Sequence, residues 1–251
     1  MRYNCVAIWL LISMASSVAA AAEALKATGM VLPYRQVELA TSTDGVVTDI
    51  LLKEGNSATQ GQVLVQLDAS RELMEAEYNK QLMEKRDADR AAAKLLFDEN
   101  VLSHTQWEEH QVDAKLAETE YRIALRKLDD KSIKAPFAGL VLRVYKECGD
   151  SVRNLERIAE LISIDKVYVV VYFDGADLLR VKQGQRAQVT FPLAERAVFS
   201  GVVETVDPVV DPASGTFRVK VIVDNPDHRI RSGIKADVML MDEIANATQS
   251  K

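Results

Sequence analysis

Apolar and polar positions follow three rhythms along this chain, and each predicts a different kind of element. Over residues 45–67 (GVVTDILLKEGNSATQGQVLVQL) short β-branched runs are broken by glycine, which reads as strand, glycine turn and strand. Over residues 69–131 the period lengthens. Trp107, Ala114, Tyr121 and Leu128 recur every seven residues, with His110, Ala117 and Ala124 three places after the first three. This is a heptad seam, the mark of a helix wound against a partner. A weaker series, Met74, Gln81, Ala88 and Leu95 with Tyr78, Lys85 and Ala92, is the expected seam of the first half of the same segment. Beyond Leu161 the short period returns. Residues 167–173, 184–191, 201–206, 216–223 and 235–241 read as strands of a small antiparallel barrel or sandwich, separated by turns such as Asp207-Pro208 and Asn225-Pro226. Residues 174–182 read as one short helix, and residues 28–32 as an N-terminal strand added to that barrel.

The first pattern occurs twice. Residues 139–161 (GLVLRVYKECGDSVRNLERIAEL) match residues 45–67 at a constant offset of 94, so that Gly45 meets Gly139, Ile50 meets Val144 and Gly55 meets Gly149. Leu64 then meets Ile158 and Leu67 meets Leu161. Two such halves closing on each other make one β-sandwich from distant segments, with Gly45, Gly55, Gly139 and Gly149 as its structural turns. Whatever separates the halves must leave and return at one point.

The separating stretch is suited to that. Neither glycine nor proline occurs in the 74 residues 62–135. Glycine costs a helix interior about 1 kcal/mol and proline about 3 relative to alanine, so the gap marks long helices. Of residues 69–131, 26 of 63 are charged, which keeps all but one seam in water. Residues 98–103 (DENVLS) break the heptads and offer turn chemistry. Ser103 or Thr105 can cap the second helix, with Glu108 three residues after Thr105 as in a capping box. The result is an antiparallel hairpin with arms of about 28 and 25 residues, projecting about 40 Å at 1.5 Å per residue.

Composition narrows the function. The formal charge of −6 offers no basic footprint, so no nucleic-acid partner is expected. Arg2, an apolar run over residues 5–14 and small residues to Ala22 have the layout of a secretory signal, so the mature chain is expected to be exported, with an uncleaved membrane anchor as the alternative. Cleavage there leaves one cysteine, Cys148, and no disulfide framework. His104 and His110 lie six apart and do not share a helix face, and the methionines are scattered, so no metal is expected. No phosphate loop, nucleophile elbow or paired-carboxylate spacing occurs, so the chain reads as a non-enzyme without a cofactor. A lipoyl or biotinyl carrier is disfavoured because the long excursion replaces the junction that would bear the lysine.

Three groups of residues taken in order resemble one family. The first is the split pair Glu54-Gly55-Asn56 and Lys134-Ala135-Pro136-Phe137-Ala138-Gly139…Cys148-Gly149-Asp150. The second is the hairpin between them. The third is the ending Gly184-Gln185, Gly201, Asp207-Pro208-Val209-Val210-Asp211, Thr216-Phe217-Arg218-Val219, Asn225-Pro226-Asp227 and Gly233. Together they resemble periplasmic adaptors, or membrane fusion proteins, of tripartite efflux systems, most of all those serving resistance-nodulation-division pumps.

The resemblance implies an elongated mixed α and β fold: a split lipoyl-like β-sandwich, an antiparallel coiled-coil hairpin and a small antiparallel β-barrel. Its expected divisions are a signal at 1–22, a barrel strand at 23–34, sandwich halves at 35–68 and 132–163, the hairpin at 69–131, the barrel at 164–243 and a tail at 244–251. It also implies an inner-membrane transporter, an outer-membrane channel and self-association into a ring. The expected channel contacts at the hairpin tip are Leu96, Asn100, Val101, Leu102 and Ser103, with Asp113 further on. Leu96, Ser103 and Asp113 fall at the family spacings, but Ala92 stands where many members carry arginine, and Arg90 lies two residues earlier. Little sequence follows the barrel for a fourth, membrane-proximal domain. The alternatives are an adaptor for an ATP-driven exporter and a coiled-coil envelope scaffold outside transport.

Overall fold

A computed structural model describes residues 24–191 and 198–241. The expected signal and C-terminal tail lie outside the described residues. The elements run β1 (Lys26–Ala40), β2 (Gly45–Ile50), β3 (Ser57–Ala58), β4 (Val63–Leu67), α1 (Ser70–Asp98), α2 (His104–Asp129), β5 (Ser132–Lys134), β6 (Gly139–Val144), β7 (Ser151–Val152) and β8 (Arg157–Asp174). A 3₁₀ turn at Gly175–Arg180 follows, then β9 (Arg186–Thr190), β10 (Val198–Val206), β11 (Thr216–Asp224) and β12 (Lys235–Leu240).

The sandwich realises the repeat. Strand β2 pairs with β4, and β6 pairs with β8, each antiparallel. Each half lends its two-residue strand to the other: β3 pairs with β6, and β7 pairs with β2. The bridges are reciprocal. Gly55 N donates to Val141 O and Gly149 N to Val47 O, both at 2.8 Å, while Val141 N donates to Asn56 O and Val47 N to Asp150 O, both at 2.9 Å. Even the ladder irregularities match, between Val47 and Asp49 in one half and between Val141 and Arg143 in the other. Gly55 and Gly149 both sit at positive φ, 82° and 95°, where a side chain is strained. Val47, Leu64, Leu67, Val141, Ile158 and Leu161 close a shared core, each worth about 1.5–3 kcal/mol of burial.

The barrel closes in the order β1-β12-β9-β10-β11-β8, with β8 returning to β1. Alternation fills it: Phe217, Val219, Val221 and Val223 of β11 all point inward. Strands β1 and β8 do more than complete this barrel. They pair through residues 30–33 with 167–170 in the barrel and continue through 35–40 with 157–163 in the sandwich. A register shift between Pro33 and Arg35 marks the passage, where Tyr34 alone faces the three residues Ile164, Asp165 and Lys166 of β8, so the bulge belongs to β8. Tyr34 leans on Tyr168 with ring centroids 5.4 Å apart, and the Arg35 guanidinium lies 5.3 Å from the Tyr34 ring and 5.7 Å from that of Phe137. The sequence reading of separate strands at 28–32 and 167–173 understated both. Each is one strand through two bodies.

Candidate functional site

The hairpin is the part of the molecule that reaches furthest from both cores. Its root is clamped. Lys131, only 8 % exposed, donates to Asp44 O at 2.9 Å and pairs with Glu72 at 3.3 Å, tying both helices to the strand that opens the sandwich. Asp68 accepts from the Ser70 hydroxyl at 2.7 Å and its amide at 3.0 Å. Those bonds, the hydroxyl first, hold its carboxyl below the usual range. One turn out, Lys127 pairs with Glu75 across the helices at 2.7 Å.

Along the shaft, α2 uses the seam read from its heptads: Ala114, Ala117 and Ala124 are buried, and Trp107, His110, Tyr121 and Leu128 half-buried. The seam of α1 differs from expectation. Glu72, Ala76, Asn79, Met83, Arg86, Ala93 and Phe97 face the partner helix, with Ala76 and Ala93 buried. Met74, Tyr78, Gln81, Lys85, Ala88, Ala92 and Leu95 instead face solvent. The reason is that α1 carries two heptad stripes, and the outer one is as apolar as the inner. Strand-like alternation is absent from both, so periodicity alone does not choose between them. Helix α2 carries an outer stripe too, through Val112, Leu116, Thr119 and Ile123. Tyr78 at 68 % and Val112 at 65 % exposure are among the most open apolar residues of the shaft.

The tip turns on Asn100 at φ 61°, the left-handed residue that ends α1. Val101 N and Leu102 N both donate back to Leu96 O, at 2.8 and 3.2 Å. Ser103 then caps α2 in a capping box with Gln106: Gln106 N donates to Ser103 Oγ at 3.4 Å and Ser103 N to Gln106 Oε1 at 3.1 Å. The alternative cap, Thr105 with Glu108, is not used. Phe97 stacks on Trp107 at 6.1 Å with His104 edge-on at 6.0 Å, closing the shaft beneath the turn. The sequence reading placed Trp107 in the seam but missed its pairing with Phe97, whose spacing on the true α1 stripe was the available signal.

Of the expected contact residues, the structure gathers Leu96, Asn100, Val101, Leu102 and Ser103 at this turn. Val101 is 69 % exposed and Leu96 also open, while Leu102 is half-buried. Asp113 stands apart, about 15 Å down the shaft at 1.5 Å per residue, where it pairs with Arg86 of α1 at 3.2 Å. Among the described residues no three histidines, cysteines or carboxylates gather as metal ligands, and Cys148 is a free, exposed thiol.

Residues 166–244 match the CusB-like beta-barrel domain family. The antibiotic efflux pump periplasmic linker protein ArpA of Pseudomonas putida is 27% identical over 239 residues, covering 84% of this chain and 64% of its own length. The multidrug/solvent efflux pump periplasmic linker protein MepA of Pseudomonas putida is also 27% identical over 239 residues, covering 84% and 62%. The chain thus spans somewhat under two thirds of the length of these curated relatives. Among solved structures, a MacA-MexA chimera containing the Pseudomonas aeruginosa MexA α-hairpin superposes with a TM-score of 0.76 at 19% identity, over 87% of this chain and 79% of the other. A putative efflux transporter from Bacteroides eggerthii does so with a TM-score of 0.72 at 21% identity, over 89% and 70%. Those two likenesses show a shared fold.

Proposed function

We propose that the chain is an efflux adaptor of the membrane fusion protein family and works in the periplasm as the bridge between an inner-membrane efflux transporter and an outer-membrane channel. The transporter is of the resistance-nodulation-division type, the cargo is small molecules, and the adaptor itself carries out no catalysis. Its contribution is geometric. The sandwich fixes the angle of the hairpin, the hairpin gives reach, and the barrel faces the transporter.

The observation that carries this reading is the doubled seam of the hairpin. Each helix spends one stripe on its partner and leaves a second apolar heptad stripe uncovered, Met74-Tyr78-Leu95 on α1 and Val112-Leu116-Ile123 on α2. A ring of copies standing side by side sets the α2 stripe of one against the α1 stripe of the next, a head-to-tail contact between two different patches. Ring symmetry then multiplies weak tip contacts, since linked binding adds about 10²–10⁴ in avidity. The tip presents Val101, Leu96 and Ser103 to the channel.

The test is cross-linking in growing cells from Asn100→Cys in a Cys148→Ser background. Capture of an outer-membrane channel is the expected outcome. Capture of cytoplasmic-membrane or soluble proteins alone, together with full export by a Val101→Asp variant, would refute tip docking.

A further inference from the structure

A cavity of about 620 Å³ opens where the sandwich meets the barrel. Leu140 and Leu142 of β6 and Ile162 and Ile164 of β8 are among the residues that line it. These residues lie on the outer face of the sandwich sheet, opposite the buried Val141 and Leu161. The second wall is the loop between β11 and β12, bringing His228, Arg231 and Ser232.

That loop is built rigid. Asn225, 2 % exposed, donates through Nδ2 to Ile164 O at 2.8 Å and Ile230 O at 2.9 Å, and accepts from Ile230 N at 2.9 Å. Its own amide donates to Asp165 O, and His228 N donates to Asn225 O. His228 is held at φ 54°, an unusual conformation for a side-chain-bearing residue, and its Nε2 lies 2.7 Å from Asp165 Oδ1. Floor and wall are therefore both fixed before any ligand arrives, which lowers the cost of binding.

The charges at the mouth are unequal. Asp165 is engaged by His228, whereas Arg231 makes no ion pair or hydrogen bond among the described residues. An apolar trough of this volume, between two bodies and with one open guanidinium at its edge, has the makeup of a small-molecule site. A guanidinium matches a carboxylate in shape and charge.

We propose that this junction cavity binds an amphipathic carboxylate, its hydrocarbon or aromatic body on Leu140, Leu142, Ile162 and Ile164 and its anionic head on Arg231. Because the cavity is lined from both bodies, an occupant touches sandwich and barrel at once and favours the arrangement in which their walls are this far apart. The inference is independent of the transport reading.

The experiment is calorimetric titration of the purified chain with sodium laurate below its micellar concentration, with dodecanol and dodecyltrimethylammonium as head-group controls. Saturable one-site binding of laurate is expected. Arg231→Glu weakens laurate at least tenfold and leaves dodecanol within about twofold, and Leu142→Asp weakens both. Circular dichroism checks that each variant remains folded; Arg231 is exposed, so its substitution tests the idea without touching a core. Absence of laurate saturation overturns the proposal, as does equal binding of dodecyltrimethylammonium or indifference to Arg231→Glu. Dissociation of a self-associated form by Leu142→Asp, without laurate binding, likewise overturns it in favour of a second copy on this face.

Discussion

Gly45 and Gly139 hold the same place in the two halves of the repeat, yet alanine should be tolerated at only one of them. A Cβ built on Gly139 falls 2.3 Å from Ile162 O and 3.0 Å from Ile162 C, both backbone atoms of the neighbouring strand. Relief requires β6 to move off β8 by about 1 Å, and overpacking of this kind costs about 1–3 kcal/mol. At Gly45 the nearest atoms are side-chain carbons of Leu67 at 3.4 and 3.5 Å and the Lys131 ammonium at 3.7 Å, all ordinary contacts. There, alanine gains about 0.4–1 kcal/mol by restricting the unfolded chain. The two substitutions should differ by about 3 kcal/mol, or about 100-fold in local opening at 1.4 kcal/mol per decade.

Amide hydrogen exchange reads this directly through two repeat-related probes, the Val47 amide bonded to Asp150 O and the Val141 amide bonded to Asn56 O. Gly139→Ala should accelerate exchange at both by one to two orders of magnitude, because the halves lock each other. Gly45→Ala should leave both unchanged or slower. Equal acceleration in the two variants, or none in Gly139→Ala, would show that the contacts across β6 and β8 do not govern the sandwich as argued.

Lys131→Met leaves the Glu72 carboxylate and the Asp44 carbonyl without their donor and should lower stability by about 2–4 kcal/mol in urea titration followed by circular dichroism, with Lys131→Met/Glu72→Met recovering a large part. Ser103→Ala should cost the hairpin about 1 kcal/mol through loss of the capping box, detectable as faster exchange over the first turn of α2 with the barrel unaffected. Tyr168, pushed up to about 12 chiefly by burial and then by the neighbouring Glu204 carboxylate, binds its proton more tightly folded than unfolded. Its contribution is therefore complete below about pH 10 and fades as pH rises from there toward 12, so ultraviolet titration should show a late phenolate near pH 12 that disappears in Tyr168→Phe.

The sandwich was legible because its instructions are local and doubled: a glycine turn between β-branched runs, twice, at one offset. The heptads of α2 were equally plain because its inner stripe holds the small alanines and Trp107. Helix α1 was misread for a physical reason. Its outward residues Met74, Tyr78 and Leu95 satisfy the same spacing as its inward ones, and the inward set includes Glu72, Asn79 and Arg86, of which Glu72 and Arg86 have their partners, Lys131 and Asp113, far along the chain. Nothing local distinguishes a charged seam residue with a distant partner from a solvated one. The unbroken passage of β1 and β8 through two bodies escaped notice similarly, because Pro33 in one strand and Ile164-Asp165-Lys166 in the other look like endings in sequence and act as a joint in space. The junction cavity was invisible until the loop around Asn225 was folded against β8.

The two long strands β1 and β8 also set how the molecule can move. Both strands run on unbroken and pair on either side of the bulge at Tyr34, so the two bodies are coupled like the ends of a twisted strap and do not swing as beads on a string. Any torque applied at the barrel arrives at the sandwich, and from there at a lever of about 29 residues, or about 43 Å. A rotation of about ten degrees at Tyr34 sweeps the far end of that lever through about 7 Å, more than the rise of a full helical turn.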